Sequence, residues 1–236
     1  MTVDPLALAD ELDRSTARML DTVAGITDER MAEPSLLPGW TRGHVVTHVA
    51  RNADSLVNLL TWARTGVVTP QYSSHEEREA GIQAGAGRPA EDQLTDARAA
   101  SARFAQAVTE MPAEAWTATL GDQGSAARVV WRRLREVEVH HVDMAAGYDW
   151  SDMPESFTLR LLNELVSVRP RDDGSGPAVR IRPAGLGHAL QLGKGEPEVT
   201  VSGPAHELAA WLAGRSAGTA LTVEPEGDLP TISGWM

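Results

Sequence analysis

Leu36-Leu37-Pro38-Gly39-Trp40-Thr41-Arg42-Gly43-His44-Val45-Val46-Thr47-His48-Val49-Ala50-Arg51-Asn52 is a turn that opens a long helix. Pro38-Gly39 has turn chemistry, and Thr41 is a good N-cap. Gly66 stops the helix after Thr65. Val45, His48, Val49, Asn52, Leu56, Leu59 and Ala63 recur at spacings of three, four and seven, so they form one inward stripe. His44 and His48 are one turn apart, and His48 lies inside the apolar stripe.

Three more helices follow from the same periodicity. One starts at Asp4-Pro5 and runs to Gly25, with Leu8, Leu12, Met19 and Val23 inward. Another spans about 90–110 and ends before Pro112. The last spans about 126–146 and is closed by Gly147. Residues 67–90 carry scattered Gly and Pro and read as a loop with a short helix at 75–82, and Trp116–Leu120 reads as a short extended piece. Four helices with one longer connection predict a four-helix bundle.

After Trp150 the pattern changes. A helix at 155–168 is followed by short strands at 178–182, 188–192 and 198–202, a helix at 204–213 and a strand at 221–223. The expected fold class is therefore α plus α+β, with a bundle over 1–150 and a small α+β domain over 151–236.

Composition narrows the function. The 236 residues are 42% hydrophobic, enough for one large core or two modest ones. The net charge of −12 disfavours nucleic acid. No apolar run is long enough to span a bilayer, and the first residues lack the pattern of a signal peptide, so a cytoplasmic protein is expected. Cysteine is absent, which excludes disulfides, thiolate metal ligands and a thiol nucleophile carried by the chain.

The chemistry concentrates on two helices. Glu136 and His140 are spaced i,i+4 within Arg135-Glu136-Val137-Glu138-Val139-His140-His141-Val142-Asp143, so they share a face. Inward side chains on two bundle helices can converge on one ion. Two imidazoles and a carboxylate suit zinc with an open fourth position, and equally suit non-haem iron(II). By spacing alone His44 is an alternative to His48, Glu138 to Glu136 and His141 to His140. Asp143, three residues after His140, either orients its ring or faces solvent.

The 36–52 stretch, the run Leu59-Leu60-Thr61-Trp62-Ala63-Arg64-Thr65-Gly66 with Thr69-Pro70, and the second motif Arg135-Glu136-Val137 with His140 and Val142-Asp143 resemble the mycothiol-dependent maleylpyruvate isomerase family. Val201-Ser202-Gly203, Ala213-Gly214-Arg215 and Trp235 extend the resemblance over nearly the whole chain. The resemblance implies a DinB-like four-helix bundle carrying zinc and a small C-terminal α+β domain. It places the zinc ligands on His48, Glu136 and His140, and leaves His44 a packing or supporting role. It also matches Arg215 to an arginine implicated in activity, to stabilise charge on the substrate's conjugated oxygen or to grip a carboxylate.

The implied reaction turns cis maleylpyruvate into trans fumarylpyruvate in the gentisate pathway. A thiolate adds to the activated alkene, the resulting single bond rotates, and elimination restores the double bond. With no cysteine in the chain, mycothiol supplies the thiol. Asn52, one turn after His48, and Tyr72 and Arg78, in the segment after the long helix, are expected to contact that cofactor. The expected partners are thus a small-molecule substrate and the thiol cofactor. Two other readings of the scaffold are a mycothiol S-transferase and a non-enzymatic binding module.

Overall fold

The computed structural model describes residues 4–168 and 178–232. Met1–Val3 and Trp235 lie outside them. The chain divides into two compact units, Met1–Tyr148 and Asp149–Met236.

The first unit contains α1 (Pro5–Ala24), α2 (Asp28–Met31), α3 (Arg42–Thr65), α4 (His75–Ala86), α5 (Ala90–Thr109) and α6 (Arg128–Asp143). Helices α1, α3, α5 and α6 pack as the bundle, with α4 laid against α3. The helix starts follow the sequence signals. Asp4 caps α1 ahead of Pro5, and Thr41 and His44 form a reciprocal capping box on α3. Gly66 ends α3 at φ +72, in the left-handed region that suits glycine.

Two features differ from expectation. Residues Ala113–Thr117 form a 3-10 turn, and the extended geometry shrinks to one bridge between Thr119 and Ser125. Pro112 has no N–H and fixes its own φ, which suits the start of a tight turn. Helix α4 runs four residues beyond 82, through Gly85, which sequence patterning treats as a breaker. Gly85 of α4 and Gly43 of α3 serve close approach instead. A Cβ on Gly43 would come within 2.2 Å of the Ala86 carbonyl oxygen, and one on Gly85 within 2.4 Å of Thr47 Cγ2. The contact is sealed by Gln93, which is buried and donates to the carbonyls of Ala86 (3.1 Å) and Arg88 (2.9 Å).

The second unit contains α7 (Glu155–Val168), β1 (Val179–Pro183), β2 (Leu190–Leu192), β3 (Val199–Gly203), α8 (Ala205–Leu212) and β4 (Thr222–Glu224). Its sheet has the order β2-β1-β3-β4, with β1 and β3 parallel and the outer pairs antiparallel. Val179 and Ile181 on β1 alternate with more exposed arginines and are fully buried, as is Val201 on β3. Phe157, Leu161 and Leu165 of α7 and Leu208 and Leu212 of α8 are also fully buried.

Candidate metal centre

The turn before α3 is tied to the end of α6. The buried Arg42 donates Nε to the Met144 carbonyl and Nη2 to the Ala145 carbonyl, both at 2.9 Å, and Nη1 to the Arg30 carbonyl at 3.0 Å. It also pairs with Glu33. The Leu36 N–H donates to the Asp143 carbonyl at 2.9 Å. These bonds satisfy carbonyls at a helix C-terminus with a cation, as the helix dipole favours. They also set the start of α3 beside the last turn of α6.

That alignment brings His48 and His140 together, their rings perpendicular with centroids 4.7 Å apart. Their Nε2 atoms are 3.1 Å apart. Glu136 Oε2 is 3.0 Å from His48 Nε2 and 3.4 Å from His140 Nε2. Both histidines are about 95% buried (4% and 5% exposed). These three are the one group of His, Cys, Asp or Glu side chains, among the described residues, able to share a metal ion. Zinc–donor bonds of about 2.0–2.1 Å in a tetrahedron put donors about 3.3 Å apart, so the three separations fit such an ion. Three protein donors leave a fourth position open, the catalytic rather than the structural pattern.

The surroundings orient each ligand. Asp143 is fully buried, and its Oδ2 accepts from His140 Nδ1 at 2.9 Å, which leaves Nε2 aimed at the centre. Trp40 packs on the edge of His48 with ring centroids 5.6 Å apart. Arg78, carried by α4, approaches His48 Nδ1 with Nη2 at 3.3 Å. A guanidinium only donates, so in this arrangement the His48 proton sits on Nε2 and points at Glu136.

Electrostatics separate the three groups. Burial, aided by His140 and Arg78 and opposed by Glu136, pushes His48 down to about 4. Burial also works against a charge on His140, but Asp143 and Glu136 outweigh it and raise that ring to about 9. Burial favours a neutral Glu136, yet its bonds to His140 and His48 hold it well below the usual carboxylate range.

The metal-free centre therefore stores one proton, on His140, at neutral pH. Metal binding must expel it, because the nitrogen needs a free lone pair. Zinc uptake at pH 7.5 is expected to release about one proton, with apparent affinity rising with pH until His140 deprotonates near 9. Calorimetry in buffers of different ionisation enthalpy measures this, and zero release at pH 7.5 would contradict it.

The alternatives left open by spacing separate in space. His44 is no part of the cluster: its Nδ1 accepts from the Thr41 backbone N–H at 3.2 Å and its Nε2 lies 3.2 Å from Gln83 Oε1. Glu138 faces α1, where it accepts from Ser15, from Arg18 at 2.8 Å and from Tyr148 at 2.6 Å. His141 stacks on Tyr148 at 3.8 Å and meets Thr22 at 2.8 Å.

Asn52 is buried on α3, and its Oδ1 accepts from Arg133 at 3.0 Å. Its amide nitrogen makes no hydrogen bond among the described residues. Tyr72 lies 5.9 Å from Arg78, measured from ring centroid to guanidinium carbon, and its hydroxyl is buried without a partner. Arg215 belongs to the second unit. It follows α8 and Gly214, with its backbone N–H donating to Ala210 O (2.9 Å) and Nη1 to Ala213 O (3.1 Å). Sequence reading missed Arg42 and Arg133. Arg133 was detectable, since it interrupts the stripe of Val130, Leu134 and Val137 on α6.

The comparisons with known proteins agree with this architecture. Residues 12–145 match the family model described as the mycothiol maleylpyruvate isomerase N-terminal domain, and 152–234 match the corresponding C-terminal domain. Two solved structures, a mycothiol-dependent maleylpyruvate isomerase and a histidine-to-alanine mutant of one, superpose with a TM-score of 0.89 at 28% identity. Each match covers 99% of this chain and 98% of the other. No curated protein matches the chain. With the family's two domain models matched in order along nearly its whole length, the chain belongs to the mycothiol maleylpyruvate isomerase family.

Proposed function

We propose that this protein converts maleylpyruvate to fumarylpyruvate with zinc and mycothiol. One observation carries the reading: two buried imidazoles and a carboxylate with mutually adjacent donor atoms, and no fourth His, Cys, Asp or Glu donor with them among the described residues. Zinc held there supplies an open position that binds the thiol sulfur and lowers its pKa. The chain has no cysteine, so the sulfur comes from a cofactor.

The chain's own groups then bind and orient. Asp143 fixes the ring of His140. Arg78, which reaches His48 from α4, would bind an anionic group of the cofactor at the mouth of the centre. Asn52 offers its amide nitrogen and Tyr72 its hydroxyl to the cofactor. Arg215 binds a substrate carboxylate or steadies the charge that thiolate addition places on the conjugated oxygen. The bundle domain spans 1–150 and carries the metal, and the α+β domain spans 151–236 and carries Arg215.

No helix of the described residues is long and apolar enough to cross a membrane. We place the protein in the cytoplasm, where small thiols are kept reduced, and assign its substrate to the gentisate route of aromatic degradation.

The test is a spectrophotometric assay of maleylpyruvate with and without mycothiol and chelator. Trans product is expected only with thiol present and chelator absent. Consumption of thiol without trans product would replace the isomerase with an S-transferase. In the same assay Arg215→Ala is expected to keep its zinc and lose turnover, and undiminished turnover would remove Arg215 from the site.

A further inference from the structure

We propose that Glu138, with His141 beside it, is a positioning residue for the metal centre. On the far side of α6 it fixes the rotation of that helix about its own axis, and so decides where Glu136 and His140 point. The inference rests on the metal centre described above and adds to it two side chains that are no part of the cluster.

Successive residues are about 100° apart round a helix, so Glu138 and His141 sit about 140–200° from Glu136. They face α1, where the ligands face α3. Glu138 is 1% exposed, and both its oxygens are used. Oε1 accepts from Ser15 and from Arg18 Nη2 at 2.8 Å, and Oε2 accepts from the Tyr148 hydroxyl at 2.6 Å. All three donors lie outside α6. His141 adds a fourth link. The Thr22 hydroxyl donates its proton to the Arg18 carbonyl at 3.2 Å, so it accepts from His141 Nε2 at 2.8 Å. Tyr148 closes the group by stacking on His141, the ring planes 4° from parallel. Ser15, Arg18 and Thr22 are spaced three and four apart, so they form one polar stripe down α1.

Two magnitudes decide the role of this network. Side-chain tips lie about 5–6 Å from a helix axis, so turning α6 by about 10° carries them about 1 Å. Metal–donor distances hold to within about 0.2 Å, so ligands carried rigidly on one helix tolerate only about 2° of rotation. Stability is the lesser part. Apolar groups in place of a buried ionic one are often neutral for folding. The Arg18 side chain is 40% exposed, so without Glu138 its charge turns to water rather than being stranded. What directional bonds to a carboxylate from two segments supply, and aliphatic packing does not, is one permitted angle.

The test compares Glu138→Leu and Glu138→Gln with the parent by competition titration of zinc and by the absorption spectrum of the cobalt(II)-loaded protein. Glu138→Leu is expected to bind zinc about tenfold more weakly, as when an outer partner of a metal-bound histidine is lost, and to change the cobalt bands. Its melting temperature is expected to move little. Glu138→Gln keeps the shape and two polar ends and is expected to restore both readouts. Phe104→Leu, a core substitution on α5, is expected to lower the melting temperature and leave both readouts as in the parent. Parent-like zinc affinity and cobalt bands in Glu138→Leu overturn the proposal, as does an equal loss in Glu138→Gln or in Phe104→Leu. Should Glu138→Leu not fold, Thr22→Val carries the test: a smaller loss in the same direction is expected, and parent-like readouts overturn the proposal. A parent that takes up no zinc sinks the metal centre itself. A parent that takes it up, with Glu138→Leu unchanged, sinks this proposal alone.

Discussion

His140→Ala is expected to empty the metal centre and abolish turnover while leaving the bundle folded. Outer partners of metal-bound histidines cost about 10–100-fold in metal affinity when removed, so loss of a ligand itself should exceed ~100-fold. The side chain is almost fully buried, but its polar contacts are confined to Asp143, Glu136 and His48, and the last turn of α6 stays fastened through Arg42. Elemental analysis of the purified variant should therefore find no zinc, with helical circular dichroism near that of the parent. Asp143→Asn supplies a graded companion. It keeps the ring but weakens its orientation, and a loss of about 10–100-fold is expected. Full zinc occupancy in His140→Ala would show that the ligand set is wrong.

The second large effect is on stability. Arg133 is 1% exposed, and its Nη1 donates to the Val49 carbonyl at 2.7 Å and to Asn52 Oδ1 at 3.0 Å. Burial pulls its pKa down to about 10, so it stays charged at neutral pH. Arg133→Met fills similar space but removes both bonds between α6 and α3: the Val49 carbonyl keeps its partner within helix α3, while Asn52 Oδ1 is left without one. An unsatisfied buried acceptor costs about 1–3 kcal/mol, so about 2 kcal/mol is expected in total. For a chain of this size that lowers Tm by on the order of 5 °C. Arg133→Lys should not rescue it fully, because an ammonium on a flexible stem lacks the planar fork. Thermal unfolding within a degree of the parent would show that this buried cation is dispensable. Zinc binding offers a second readout, since Asn52 and His48 share a helix face.

Helices α1, α3, α5 and α6 were legible because their apolar positions recur with helical spacing and their ends carry Asp4-Pro5, Thr41, Gly66 and Pro112. The strands of the second unit were legible to within one or two residues from short apolar runs between turns. Helix α4 was only half legible. Gly81, Gly85 and Gly87 look like breakers along the chain, and the use of Gly85 depends on Thr47, 38 residues earlier. The extended reading of 116–120 failed because Pro112 starts a tight turn and the pairing there shrinks to a single bridge.

By itself the sequence determined the two-part architecture, the absence of any thiol in the chain and a short menu of metal ligands: His44 or His48, Glu136 or Glu138, His140 or His141. Only the tertiary structure chose among them. Successive residues on an α-helix are about 100° apart, so Glu136 and His140 share one side of α6 while Glu138 lies about 200° from Glu136. Which side meets α3 and which meets α1 depends on how the helix is rotated in the bundle. That rotation is set by Arg42, Arg133 and the buried Glu138 network, contacts between residues about 80–120 positions apart along the chain. Local periodicity is blind to such pairings, because it carries no record of which faces meet.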